Sequence, residues 1–492
     1  MARKVGVIGS GFAGLSAAAM LAKSGIEVSV FEKNEMAGGR ASVFSASGFT
    51  YDMGPSWYWM PDVFEKFYNQ FGYTASDFYD LRRLSPSYRV YFGKNDFCDL
   101  PSSEEDLYQL FEQHEKGSAQ KLRKFLAQAE AKYKIGMHDF VYRPSKSVTE
   151  FIAPSVFAAL FKMQLFTSVR SHIHGLFKNE RLRYILEFPS YFLGALPQNT
   201  PAMYSLMNYA DLRLGSWYPM GGMYEVIKAM KKICDERGVH FRFNEAVQQV
   251  VCEGKNARKL ITSKGEYPFD AIISGADYHH TESVLLAKEH RQYTEQYWAK
   301  KDFAPSSLIF YLGINKKLNG LLHHNLFFDE SITAFANDIY VQPQWPSSPL
   351  FYVCCPSKTD ASVAPEHCEN LFVLMPVAPG LNDTEEVRGT YFKQLIARIE
   401  KITGEQIMPH IVYKKSFAQN DFTERYNSYK GHAYGLANTL RQTAFLKPRI
   451  KNKRMHNMYY AGQLTVPGPG VPPSIISGQV VAKEVINDFI KQ

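Results

Sequence analysis

Close to its start the chain reads Val5-Gly-Val-Ile8, then Gly9-Ser-Gly11-Phe12-Ala-Gly14, then Leu15 to Lys23, Gly25, Val28 to Phe31 and Glu32. In local terms this is a buried strand, a glycine turn, a helix with a glycine stop, and a second buried strand closed by an acid. Each glycine has its own steric task. Gly9 permits the tight turn, Gly11 lets backbone approach a pyrophosphate, and Gly14 lets the helix pack close to the strand. The first N–H groups of the helix have no partner within it, and with the helix dipole they attract phosphate. Glu32, 18 positions beyond Gly14, is placed to accept hydrogen bonds from a ribose hydroxyl pair, which favours a dinucleotide with a free 2′-OH. A parallel α/β sheet is expected, with Gly9, Gly11, Phe12, Gly14, Glu32 and Lys33 at the dinucleotide.

Further motifs follow in a fixed order. Behind Glu32 comes Gly38-Gly39-Arg40, then Asp52-Met-Gly54-Pro55-Ser56-Trp57. Later come Trp217-Tyr-Pro-Met-Gly221-Gly222-Met223, the stretch Asn244 to Val250, and Ala461-Gly462-Gln463 running into Pro467-Gly-Pro-Gly470-Val471-Pro472. Together these resemble the flavoprotein family that contains amine oxidases, protoporphyrinogen oxidase and carotenoid desaturases. The resemblance implies FAD, held in a Rossmann-type FAD-binding domain with an α+β substrate domain inserted. It implies Gly39 and Arg40 at the pyrophosphate and Gly54, Pro55 and Ser56 near the ribityl chain and flavin ring. It also implies the Val247 backbone at the adenine, Gly462 at the pyrophosphate or ribityl, and Gly470, Val471 and Pro472 at the pyrimidine edge. A helix expected over 473–489 would aim its positive end at the flavin N1–C2=O region. The FAD-binding domain is expected from 1–81, 214–290 and 420–492, and the substrate domain from 82–213 and 291–419.

Within that family, Trp217 to Met223 and the C-terminal Pro/Gly loop are similar to carotenoid desaturases. The covalent-flavin cysteine of amine oxidases has no counterpart near Gln463. Such desaturases move a hydride from an allylic CH₂ to flavin N5 and lose a proton from the neighbouring carbon, and quinone or oxygen then takes the electrons. The resemblance leans toward 3,4-desaturation of 1-hydroxycarotenoids, with phytoene or diapophytoene desaturases as the alternative. A saturase or oxygenating oxidase would use the same FAD domain. Rab GDP-dissociation inhibitors share the fold and bind without flavin, but retention of Glu32, Gly38-Gly39-Arg40 and the C-terminal loop argues against a pure binding module. Asp211 is the one acid singled out as a catalytic candidate; a structural ion pair with Arg213 is its competing fate.

Composition sets the outer limits. At 492 residues the chain supports two or three domains, and 14% aromatic content suits an apolar ligand tunnel as well as a core. Six cysteines show neither zinc spacing nor disulfide-framework density, which points to a reducing, cytoplasmic compartment. Cys354 and Cys355 are expected as buried strand residues rather than a redox pair. The first strand begins at residue 5, leaving no room for a signal peptide, and no stretch is apolar enough to span a bilayer. A formal charge of +8 without basic runs argues against nucleic acid and is compatible with an anionic leaflet. Residues 151–178 combine an apolar run with Lys162, Arg170, His172, His174 and Lys178. They read either as a peripheral contact with the inner membrane or as a core-facing helix pair. No metal is expected: His172 and His174 are two apart on a helix, and adjacent His279 and His280 cannot share one face.

Overall fold

The computed structural model describes residues 3–145, 163–191 and 194–491. Strand β1 (Lys4–Ile8), helix α1 (Phe12–Lys23) and strand β2 (Glu27–Phe31) form the expected opening unit. Strands β1 and β2 pair in parallel, with Val5 opposite Val28 and Val7 opposite Val30. Ala271–Ser274 and Met458–Tyr460 extend the sheet on one side and His240–Arg242 on the other, giving five parallel strands. The valines of β1 and β2 are buried, as a parallel sheet covered on both faces requires.

Two helices and a small sheet from distant parts of the chain converge on this sheet. The C-terminal helix, Val471–Ile490, lies against α1, and the contact is close because Gly478 has no side chain; a Cβ there would stand 2.3 Å from the Ala13 carbonyl oxygen. The helix Tyr224–Glu236 buries Val226, Ile227, Met230 and Cys234, the spacing expected from its sequence. A small antiparallel sheet, Val247–Glu253, Asn256–Thr262 and Gly265–Pro268, packs on Ile8 and Phe31.

The second large sheet has seven strands, in the order Ile411–Phe417, Ser306–Ile314, Glu369–Val377, Phe351–Cys354, His324–Phe327, Tyr88–Gly93 and Asp96–Leu100. Alternate residues face opposite ways. Leu308, Phe310, Val373 and Phe351 pack with Leu395, Ile396 and Ile399 of the helix Glu385–Thr403. Ile309, Tyr311, Phe372, Tyr352 and Cys354 point the other way, into the main core with the hairpin β3 (Val43–Ala46) and β4 (Phe49–Asp52).

The stretch that follows residue 81 opens with strands before its helices: Leu81–Arg83 pairs with Trp217–Pro219, and Tyr88–Gly93 joins the seven-stranded sheet beside Asn325 to Phe327. Their partners lie far along the chain, so no local periodicity announces them. The helices Glu104–His114 and Ser118–Ile135 follow. Residues 151–162 of the proposed membrane segment lie outside the described residues.

Candidate active site

The cofactor cradle is assembled from backbone. Gly9 adopts φ +89°, and a Cβ on Gly14 would stand 2.0 Å from the Gly9 carbonyl oxygen, so α1 can sit on β1 only with glycine there. Gly11 is the N-cap of α1 and offers no side-chain cap, leaving the first-turn N–H groups open to a ligand. Phe12 is buried at the first helical position. The Gly38-Gly39 loop closes over this turn: Gly38 N–H donates to the Ser10 carbonyl at 2.9 Å, and a Cβ on Gly39 would lie 3.4 Å from the Gly11 Cα. Gly462 meets the same place from the C-terminal side, where a Cβ on it would lie 3.8 Å from the Ala13 Cβ. The turn after β1, the loop after β2 and the loop after Met458–Tyr460 therefore meet at the carboxyl ends of parallel strands, where open α/β sheets bind ligands.

Glu32 ends β2 and is buried, and its carboxylate is well supplied with donors. One oxygen accepts from Ser10 N–H and Oγ–H at 2.9 and 2.8 Å, the other from Asn34 N–H and Nδ2–H at 3.0 and 2.9 Å. A ribose diol would have to share or displace the Asn34 side chain, since a carboxylate has about four acceptor positions. Lys33 donates to the Glu424 carbonyl at 2.6 Å and to Asn427 Oδ1 at 3.3 Å. Backbone bonds from Glu245 to Glu32 and from Asn244 to Asn34 bring the Val247 segment alongside.

Arg40 supplies the fit test for a pyrophosphate. Its Nη2 donates to Ser428 Oγ at 3.1 Å and the His432 carbonyl at 3.4 Å, while its Nε is buried with no partner. Among the described residues no carboxylate is bonded to this guanidinium, and a half-buried cation with a buried, unpartnered Nε suits an anion. Behind it, His432 Nε2 bonds Asp277 Oδ2 at 2.9 Å. Burial alone would raise the Asp277 carboxyl, but the bonds from His432 and His280 N–H and the field of Arg40 outweigh it and hold the group low. Gly435 N–H donates to His432 Nδ1, which leaves Nε2 as the donor to Asp277.

Gly54, Pro55 and Ser56 follow β4. Gly54 is required by close packing, because a Cβ would stand 2.4 Å from the Arg40 carbonyl oxygen. Asp52, which no sequence signal assigns a role of its own, accepts from Met223 and Tyr224 N–H at 2.7 and 3.0 Å, and a Cβ on Gly222 would collide with it at 2.7 Å. Two motifs separated in the chain are thus one structural unit, with an acid at the start of a helix. Burial pushes the Asp52 carboxyl up to about 7 despite those two N–H bonds. At the other end of the molecule's last motif, Gly470, with φ +111°, is the N-cap of Val471–Ile490, and Val471 and Pro472 form its first turn.

Facing this region is a wall of side chains from the seven-stranded sheet. Trp57 stacks on His324 with ring centres 3.9 Å apart and meets Tyr88 edge-on at 5.4 Å. The Tyr352 hydroxyl bonds Ser56 Oγ at 2.9 Å and His324 Nδ1 at 2.6 Å. Burial drives both His323 and His324 down, so they are neutral, and each has an unpartnered Nε2. Asp211 sits at the far side of Tyr88. Its Oδ2 accepts from the Tyr88 hydroxyl at 2.9 Å, its Oδ1 has no partner, and burial raises it to about 7. The expected ion pair with Arg213 is absent: that guanidinium bonds Glu104 at 3.0 Å and Glu130 at 2.7 Å, on the opposite side of the helix turn. Cys354 and Cys355 are free, buried thiols, and His174 and His279 are paired with Glu187 and Glu295.

The parallel sheet with its glycine cradle, joined to a mixed sheet with an aromatic inner face, is the architecture of this flavoprotein fold, and the family match and relatives that follow make the chain an FAD-dependent oxidoreductase. The sequence pattern of flavin containing amine oxidoreductases matches residues 12–486, and the chain belongs to that family. It is 40% identical over 488 residues to a carotenoid 3,4-desaturase of Haloarcula japonica, covering 99% of this chain and 98% of that protein. It is 31% identical to a zeta-carotene-forming phytoene desaturase of Myxococcus xanthus, covering 98% and 94%. Among solved structures, an oxidoreductase from Methanosarcina mazei shares the fold with a TM-score of 0.64 at 16% identity, over 98% of this chain and 100% of that one.

Proposed function

We propose that this protein is an FAD-dependent carotenoid desaturase that introduces a C=C bond into a polyene, with 3,4-desaturation of 1-hydroxycarotenoids as its reaction. The observation that carries the reading is the full-length 40% identity to a carotenoid 3,4-desaturase. The unsatisfied Arg40 guanidinium and the uncapped start of α1 fit a pyrophosphate. Bound FAD supplies the two-electron hydride acceptor. The chain's part is to hold the polyene against the flavin, keep water out and take the proton. The wall of Trp57, Tyr88, Tyr352 and Phe372 is apolar and buried enough to serve the first two tasks. Asp211 is the candidate for the third, since its Oδ1 is unpartnered and its raised pKa suits a group that gains a proton near neutrality. Quinone or oxygen would reoxidise the flavin.

The 31% identity to a phytoene desaturase supports the second reading, desaturation of a less conjugated polyene. Expression in cells that accumulate lycopene, with and without a carotenoid 1-hydratase, separates the two. Loss of two hydrogens only when the hydratase is present supports the 3,4-desaturase, and loss from unhydroxylated or less conjugated precursors supports the phytoene type. No change in either strain, from protein purified without flavin, sinks both.

Peripheral association with the inner membrane is part of the same proposal, because the substrate dissolves in lipid. Among the described residues no helix is long and apolar enough to cross a membrane. Phe166, Leu440, Phe445 and Leu446 are exposed apolar side chains, and the Tyr204–Thr443 hydroxyl contact ties the 440–446 loop to the helical region. Sedimentation with anionic liposomes at low salt is the expected outcome; protein left wholly in the supernatant would count against it.

A further inference from the structure

Beside the C-terminal Gly/Pro loop are three polar atoms that no motif accounts for. Lys447 and Asn438 are 4% and 3% exposed. Lys447 Nζ, Asn438 Oδ1 and Thr439 Oγ1 are all buried and all without a hydrogen-bond partner. Two of them converge on Gly468: a Cβ there would stand 3.2 Å from Asn438 Oδ1 and 3.4 Å from Lys447 Nζ. Among the described residues no carboxylate acts on the ammonium. The charge that does is Lys301, which repels it.

Native interiors rarely leave a buried amine, amide oxygen and hydroxyl without partners, and these three atoms suit a polar ligand. Their chemistry is specific. The amine can only donate when charged, the amide oxygen can only accept, and the hydroxyl can do either. A flat edge that alternates carbonyl, N–H and carbonyl matches that set. Two residues beyond Gly468, Gly470 begins the helix Val471–Ile490 without a side-chain cap, which adds a positive pole at the same loop.

We propose that Asn438, Thr439 and Lys447 grip the pyrimidine edge of the flavin, and that Lys447 is the positioning cation which stabilises the negative charge gained on reduction. This rests on the FAD reading above. Burial and Lys301 push the Lys447 amine down to about 7, and negative charge on the flavin ring would hold its proton on. The role differs from that of Arg40: one cation serves the phosphates, the other the ring.

The test uses FAD-loaded wild-type protein with Lys447→Met, Lys447→Arg and Asn438→Ala, and reads the FAD dissociation constant and the flavin midpoint potential. Lys447→Met is expected to disfavour reduction at least tenfold, a shift of about −30 mV for a two-electron couple. Lys447→Arg should restore most of that shift, and Asn438→Ala should weaken FAD binding severalfold. If Lys447→Met does not fold, Lys447→Gln carries the same expectation. Wild-type potential and FAD affinity in both the Lys447 and Asn438 variants would overturn the proposal while leaving the FAD reading intact. Wild-type protein that takes up no FAD would overturn both.

Discussion

At the carboxyl edge of the five-stranded sheet the contacts are backbone to backbone, whereas on the inner face of the seven-stranded sheet they are side chain to side chain. In the first region Gly14 meets the Gly9 carbonyl, Gly38 bonds Ser10, and Gly54 passes the Arg40 carbonyl. In the second, Trp57, His324, Tyr352, Tyr88 and Asp211 touch through rings, hydroxyls and a carboxyl. Backbone does not vary with residue type, so a site made from it suits a ligand common to a whole family. A site made from side chains can be retuned by substitution, which suits a substrate that differs among relatives. The two regions should therefore fail in different ways when altered.

The largest effect is expected from Gly14→Ala. Its methyl would have to displace either α1 or the Gly9 turn, costing about 3 kcal/mol or more, and the purified protein should carry no flavin absorbance. Retention of FAD would break the comparison at its strongest point. Arg40→Met should fold but bind FAD at least about tenfold more weakly, the cost of one charge-assisted bond at roughly 2 kcal/mol. Arg40→Lys should recover part of it, and a binding titration followed by flavin fluorescence decides.

Asp211→Asn separates stability from activity. The folded carboxyl titrates near 7 instead of its ordinary 3.8, so between those values the native state holds a proton that the unfolded chain gives up. Its contribution is fully present below about 4 and is lost as pH rises through 7. The amide cannot ionise, so the variant should melt higher than the parent at pH 8, with the difference closing at low pH. Turnover should fall severalfold while FAD affinity stays unchanged. A variant with parental turnover would remove Asp211 from the chemistry.

Tyr352→Phe removes the bonds to Ser56 and His324 and should cost about 1 kcal/mol in thermal unfolding with little change in flavin affinity. Lys33→Ala should do least. Its ammonium is engaged by the Glu424 carbonyl and Asn427 Oδ1, so unaltered FAD affinity is the expected titration result. Weakened binding would return Lys33 to the cofactor.

Much of the first region is legible in the amino-acid order. The glycine spacing, the order of its motifs and the buried runs of β1 and β2 are set by neighbours a few residues apart, and the glycines report backbone sterics that hold wherever the segment is placed. The strands 306–314 and 369–377 and the helix from Glu385 are readable for the same reason, since their periodicity is local. The hairpin Tyr88–Gly93 and Asp96–Leu100 escapes such reading because it owes its place in the large sheet to Asn325–Phe327. Arg213 next to Asp211 suggests a pair that helix geometry does not allow.

The amino-acid order by itself determined that this chain builds a dinucleotide cradle at the end of a parallel sheet, and it pointed to the flavin family from motif order. Tertiary structure alone decided that Asp52 joins two motifs at the start of a helix, and that Asp211 is a lone buried acid under Tyr88. It also decided that Lys447 and Asn438 meet at Gly468, and that the Thr439 hydroxyl oxygen is buried without a partner. The physical reason is range. A glycine demanded by backbone sterics leaves its mark in the sequence whatever segment it meets, while burial and the partners of a polar atom depend on segments that only folding brings together.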